Sequence, residues 1–201
     1  MTQFEIKDGV AIIPEGTTEI PFRAFINCED LTTVVIPDSV MCIVNGAFFG
    51  CSSLTEVVIP NSVTSIGAGA FSRCYSLKDI VIPNSVTRIE HNAFRGCTSL
   101  TNIVIPNGVT RIGDNAFCCS PMRKLVIRNL VTKKEPTTVE NGSSLTSVTL
   151  PESLSELGKD VFLGCEKLET IYVPTKKANF YREHLPETLH DKIVEFELEQ
   201  K

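Results

Sequence analysis

The sequence predicts a β-rich solenoid, a stack of similar coils instead of a globule with one enclosed core. Three observations predict it. The line L-K-D-I-V-I-P-N-S-V-T-R-I-E-H-N-A-F runs from Leu77 to Phe94 and is followed by Cys97. It recurs nearly unchanged 23 residues earlier, from Leu54 to Phe71, and 23 residues later, from Leu100 to Phe117. Self-similarity at such a period marks units that bury their apolar face only by stacking on neighbours. Prolines close the apolar triplets at Pro14, Pro37, Pro60, Pro83 and Pro106, then after a one-residue slip at Pro151 and Pro174. The apolar residues also fall in fixed columns, so successive coils offer the same side chain at the same place.

Within a unit, L-x-x-[VI]-x-[VI]-P alternates as a half-buried strand does, which points Leu54, Val57 and Ile59 inward. Proline lacks the N–H a ladder needs and stops the strand where the chain turns. Past the corner come an isoleucine column, Ile20, Ile43, Ile66, Ile89, Ile112 and then Leu157, and a phenylalanine column, Phe25, Phe48, Phe71, Phe94, Phe117 and Phe162. This spacing predicts a second short extended segment and a tight helical turn around A-F-x-x-C, too short for a full helix.

The organisation expected is one repeat domain over residues 1–201. Residues 1–30 form an N-terminal cap and first partial repeat, with Asp8 and Thr17 in columns that are apolar elsewhere. Repeats fill 31–174 and are degenerate at 128–150, where Arg128 stands in place of the proline and Lys134 falls in the inward isoleucine column. An unpaired buried lysine is too costly, so the wall is expected to bulge there and turn Lys134 to solvent, as a basic protrusion or as a decayed repeat. Residues 175–201 form the C-terminal cap. Thr175–Leu185 reads as a short helix with Ala178, Tyr181 and Leu185 on one face, ended by Pro186. Val194, Phe196 and Leu198 then alternate with Glu195, Glu197 and Glu199, which predicts a last strand with an acidic outer face that discourages end-to-end growth.

The chain carries 19 Lys+Arg against 24 Asp+Glu, a net charge of −5, and no Trp. That balance lacks the basic footprint of a nucleic-acid or anionic-membrane binder. No apolar run approaches the roughly 18 residues of a membrane span. The stretch Met1–Asp8 lacks the basic and apolar regions of a signal peptide. A cytoplasmic location is therefore expected; a secreted or cell-surface location is the alternative if the sequence is a segment of a longer one.

The unit L-T-x-[IV]-V-I-P-N-S-V-T-x-I-G-x-x-A-F-x-x-C-x-S, as written in Leu54–Ser76 and Leu77–Ser99, resembles the BspA-type leucine-rich repeat family. The likeness covers roughly residues 9–174, and the tail with Tyr181, Leu185 and Pro186 resembles the family's C-terminal cap. The resemblance implies a leucine-rich repeat solenoid, right-handed and curved, with a parallel sheet on its concave side. It also implies a binding role, as in bacterial surface adhesins and protist proteins of this type.

The binding face expected is the outward side of the concave strands. Val35, Val58, Val81, Val104 and Val126 form a column continued by Thr149 and Tyr172, and Thr33, Glu56, Asp79, Asn102, Lys124, Ser147 and Thr170 flank it. An apolar stripe rimmed by polar residues suits a protein or peptide partner, with Tyr172 as an anchor. Equally, β-branched residues simply suit an exposed sheet. A self-associating scaffold or an adhesin domain is the alternative function.

No enzyme, cofactor or metal is expected. Cys28, Cys51, Cys74, Cys97, Cys119 and Cys165 make a line and not a tetrahedral cluster, so they read as reduced, space-filling thiols. Cys42 and Cys118 lie off that column, and Cys118 beside Cys119 is the candidate reactive pair. His91, His184 and His190 have no metal or triad spacing, and the serines occupy repeating turn positions such as Ser39, Ser62 and Ser85. Gly67-Ala68-Gly69 sits in a repeat column and does not read as a phosphate loop. Asn141-Gly142-Ser143 matches a glycosylation sequon.

Overall fold

Short strands set by the apolar triplets alternate along the chain with two-residue strands at the isoleucine column. The computed structural model of the protein describes residues 4–100, 102–106, 108–118, 124–127, 147–150, 152–163 and 168–197. Its strands are β1 Ile6–Lys7, β2 Val10–Ile12, β3 Glu19–Ile20, β4 Thr33–Val35, β5 Cys42–Ile43, β6 Glu56–Val58, β7 Ser65–Ile66 and β8 Asp79–Val81. They continue as β9 Arg88–Ile89, β10 Asn102–Ile105, β11 Arg111–Ile112, β12 Lys124–Ile127, β13 Ser147–Thr149, β14 Glu156–Leu157, β15 Thr170–Pro174 and β16 Ile193–Phe196. Among the described residues they form two sheets. One has ten strands in the order β1-β2-β4-β6-β8-β10-β12-β13-β15-β16, the other six in the order β14-β11-β9-β7-β5-β3. Every pairing is parallel except the first, β1 with β2. The molecule is a β-solenoid of about six turns.

In-register stacking follows from the repeated columns. Strand side chains alternate faces, so Val34, Val57, Ile80 and Ile103 point into the core while Val35, Val58 and Val81 face out. At the corner the proline carbonyl accepts the N–H three residues on: Val40 to Pro37 and Val63 to Pro60, each at 3.1 Å. The serine of the same turn ties it to the preceding coil. Ser62 Oγ donates to Val40 O at 2.6 Å and Ser85 Oγ to Val63 O at 2.7 Å. Threonines do the same beside them, as when Thr87 donates to Thr64 O and Thr110 to Thr87 O.

The A-F-x-x-C turn closes each coil with a third ladder whose donors point to the following coil. Phe48 N–H reaches Ala70 O and Phe71 N–H reaches Ala93 O, both at 2.8 Å. The turn needs a left-handed residue before each A-F, supplied by Gly46 (φ 64°), Gly69 (φ 61°), Asn92 (φ 56°) and Asn115 (φ 55°), and by Arg23 (φ 55°) in the first coil. Glycine and asparagine suit that conformation. The rings then pile up: Phe25, Phe48, Phe71, Phe94 and Phe117 follow one another at 5.1–5.6 Å, with planes within 9° of parallel.

The ends differ from the coils. Asp8 and Gly9 both have positive φ and turn β1 back on β2 as an antiparallel hairpin, the geometry Asp-Gly favours. This folds Phe4 over the exposed end of the ring stack, 5.5 Å from Phe25. At the other end Thr175–Lys177 is a single 3₁₀ turn leading into α1, Ala178–His184, with Ala178, Tyr181 and Leu185 buried as expected. The last strand corrects the sequence reading. Val194 does not face the core: it pairs with Tyr172 on the outer side, while Glu195 and Glu197 are exposed and Phe196 is half-buried. The register with β15, whose Tyr172 also faces out, sets that phase, and Arg182 on α1 holds Glu195 at 2.8 Å. Leu198 and Glu199 lie outside the described residues.

At the irregular repeat the two walls fall out of step. The long sheet inserts β12 between β10 and β13, but the short sheet passes directly from β11 to β14, pairing Ile112 with Leu157. Hydrogen bonds that elsewhere join residues 23 apart join residues 45 apart here, as Ser155 Oγ to Thr110 O. An ion network covers this seam: Arg111 meets Glu90 at 3.4 Å and also pairs with Glu156, and Arg88 meets Glu90 at 3.0 Å. Arg128, Lys134 and the sequon Asn141–Ser143 lie outside the described residues.

Candidate functional site

The outer column of the ten-stranded sheet comes together in register, and it is longer than the sequence columns implied. Ile12 pairs with Val35, Val58 with Val81, Val81 with Val104, Val104 with Val126, Val126 with Thr149, Thr149 with Tyr172, and Tyr172 with Val194. Ile12 and Val194 were missed because each lies in a cap, where the repeat pattern is broken. The strand alternation beside Ala11, and the position of Val194 in the terminal strand, were the available signals.

Exposure separates this column sharply from its neighbours. Val35, Val58 and Val81 are 51, 65 and 73% exposed, and Ile12 is 69%, whereas the adjoining Val57 and Ile80 are 3 and 4% exposed. Tyr172 keeps 40% and Val194 45%. The side chains of Val104 and Val126 lie outside what is described; their strands place them in the same line.

The flanking column forms too. Thr33 pairs with Glu56, Glu56 with Asp79, Asp79 with Asn102, Asn102 with Lys124, and Ser147 with Thr170. Glu56 is exposed, and its strand position is paired in register with that of Asp79. Thr55, Glu56, Val58, Lys78 and Val81 border a shallow open depression of about 440 Å³.

The other candidate groups are structural. The buried thiols of the column donate to the carbonyl of a phenylalanine in the coil below: Cys51 to Phe25 at 3.0 Å, Cys74 to Phe48 at 3.2 Å, and Cys97 to Phe71 at 3.1 Å. The column is cysteine because the site takes a small apolar group with one weak donor. Burial pushes the Cys51 and Cys97 thiols up to about 12 and Cys74 well above its usual range. Cys28 and Cys42 are only partly buried and are raised by burial, Cys42 also by Glu19. Cys118 is buried; Cys119 and Cys165 lie outside the described residues.

A pH effect follows. A thiol that ionises near 9.0 when unfolded but near 12 when folded contributes stability that is fully present below pH 9 and lost as pH rises toward 12. Thermal melts are expected to fall progressively above pH 9, and a Cys51→Val/Cys97→Val variant to show a shallower fall. An identical slope in the variant would mean that these thiols are not buried.

His91 Nδ1 accepts the Asp114 N–H at 3.1 Å, in the column where Asn45 Oδ1 accepts Ala68 N–H at 2.8 Å and Asp114 Oδ1 accepts Lys159 N–H at 2.6 Å. His184 and His190 bond to the carbonyls of Phe180 and Leu185 at 2.8 and 2.9 Å. Among the described residues, no three His, Cys, Asp or Glu gather to hold a metal, and no helix is long and apolar enough to cross a membrane.

The comparisons agree with this architecture. A family model described as BspA type leucine rich repeat region matches in six copies over residues 10–88 and 64–185. Among solved structures, a leucine-rich repeat protein from Bacteroides ovatus is 30% identical with a TM-score of 0.66, over 94% of this chain and 45% of that one. The T. pallidum leucine rich repeat protein is 27% identical with a TM-score of 0.64, over 94% of this chain and 89% of that one. The pneumococcal vaccine antigen PcpA, at 19% identity and a TM-score of 0.62 over 96% of this chain and 48% of that one, shares the fold. The chain thus spans about half the length of two of these three proteins. No curated protein matches it. With its repeats matched along most of their length and its coils stacked as described, the chain belongs to the BspA-type leucine-rich repeat family.

Proposed function

We propose that this chain is a non-catalytic module that binds a protein or peptide across the outer face of its ten-stranded sheet. The observation that carries the reading is the in-register outer column that runs from Ile12 to Val194, with exposed apolar or aromatic side chains at Ile12, Val35, Val58, Val81, Tyr172 and Val194, beside the exposed Glu56. Isolated exposed valines need no explanation, but a contiguous stripe with a polar rim is what an interface centre requires. Leucine-rich repeat proteins generally mediate protein interactions, and the turn serines Ser62 and Ser85, His91 and the buried thiols of Cys51, Cys74 and Cys97 are engaged in holding one coil to the next. A partner that places an apolar ridge on the column and a basic side chain near Glu56 would match both chemistries of this face.

Val58→Lys with Val81→Lys puts two cations at the centre of the stripe. Both side chains point to solvent, so the melting temperature is expected to change by only a few degrees. Proteins captured from native lysate by the wild-type chain and identified by mass spectrometry are expected to be lost from the variant. Unchanged capture would move the site off this sheet.

A further inference from the structure

On a face other than the outer sheet column, the A-F-x-x-C turns of four successive coils border an open groove of about 520 Å³. Its lining mixes two chemistries. Phe22, Ile26, Phe49 and Tyr75 supply apolar surface; Arg23, Arg73 and Arg95 supply three guanidinium groups. Phe22 is 60% and Tyr75 46% exposed, which leaves them open to a ligand. Arg23 lies over the Phe22 ring at 4.8 Å and Arg73 over Phe49 at 5.5 Å, so the cations are held on aromatic platforms.

The charges are unmatched. No Asp or Glu is among the described lining residues. Among the described residues, Arg23, Arg73 and Arg95 form no ion pair. The carboxylates nearby are already engaged: Glu90 is held by Arg88 and Arg111, and Asp114 accepts the Lys159 N–H. A protein of net charge −5 therefore keeps a local cationic groove.

We infer that this groove binds an extended acidic peptide segment carrying aromatic or large aliphatic side chains between its carboxylates. Guanidinium groups pair with carboxylates in forked geometry, and the intervening rings take apolar side chains. A polysaccharide polyanion would satisfy the arginines but leave Phe22, Phe49 and Tyr75 without apolar partners. The dimensions fit a short peptide. Three steps of about 4.8 Å between coils span roughly 15 Å, the length of about five extended residues at about 3.3 Å each. The inference does not depend on the sheet-face reading, because no residue is common to the two surfaces.

Fluorescence anisotropy with a labelled seven-residue peptide alternating Glu or Asp with Phe or Tyr tests it, with the Lys-for-acid peptide and heparin as comparisons. The acidic peptide is expected to bind, several-fold more weakly at 200 mM than at 50 mM salt, and the basic peptide is not. Arg73→Gln with Arg95→Gln is expected to weaken binding roughly tenfold or more, and Tyr75→Ser several-fold, each with a melting temperature close to wild type. Val58→Lys with Val81→Lys is expected to leave it unchanged. No binding by the wild-type chain, indifference to the arginine pair, or loss with the sheet-face variant would overturn the inference. Heparin binding that needs the arginines but not Tyr75, in place of peptide binding, would also overturn it and name a polyanion instead.

Discussion

Phe71→Ala is expected to lower the free energy of unfolding by about 3–5 kcal/mol. Phe71 is wholly buried and stacked between Phe48 at 5.1 Å and Phe94 at 5.4 Å. Truncation removes the ring's transfer free energy, opens a cavity that neighbouring coils cannot fill, and breaks two aromatic contacts worth about 0.5–1.5 kcal/mol each. In a solenoid each coil is stabilised chiefly by its neighbours, so the damage reaches both interfaces at once. Phe4 gives the contrast. It is only partly buried and has a single ring neighbour in the stack, Phe25, so Phe4→Ala is expected to lose well under half as much. Urea unfolding of the two variants reads the difference, and equal losses would mean that the interior rings are not in one stack.

The seam over the irregular repeat carries the second large effect. A Cβ added at Gly158 would fall inside van der Waals contact of the Asp114 nitrogen and the Gly113 carbonyl carbon, both backbone atoms that cannot swing away. Gly158→Ala must therefore push β14 off β11 and break the Gly158 N–H bond to Ile112 O, 2.6 Å long. A loss of about 2–3 kcal/mol is expected from the overpacking. Hydrogen exchange should show it locally: the Gly158 amide loses protection in the variant, while amides such as Phe48 and Phe71 keep theirs. Wild-type stability and wild-type protection at Gly158 would together mean that β11 and β14 do not pair.

Much of this architecture was readable before any coordinates. The leucine, valine and isoleucine columns of Leu54, Val57, Ile59, Val63 and Ile66 identify the core because burial of apolar side chains dominates and strand alternation has a fixed period of two. The outward valines were readable by the same alternation. What differs from the sequence reading lies at the two ends. The alternation with glutamates puts Val194 on the inner face, but the register with β15 sets it beside Tyr172 on the outer side, while Glu195 and Glu197 are exposed as the alternation expects. The hairpin at Asp8-Gly9 carried a local signal, but its value lies in bringing Phe4 over the ring stack, which no local pattern shows.

By itself, the amino-acid sequence determined the period, the inward columns and the family, since each of these is local chemistry repeated from coil to coil. Only the tertiary structure decided which coils meet where the repeat fails, joining Arg111 to Glu156 across 45 residues. Only it brought Phe22, Arg73 and Arg95, which belong to three different columns, onto one groove. The reason is common to both: neighbour contacts in a solenoid follow from stacking order and from the left-handed turns, so two residues far apart in sequence become adjacent only once the coils are laid on one another.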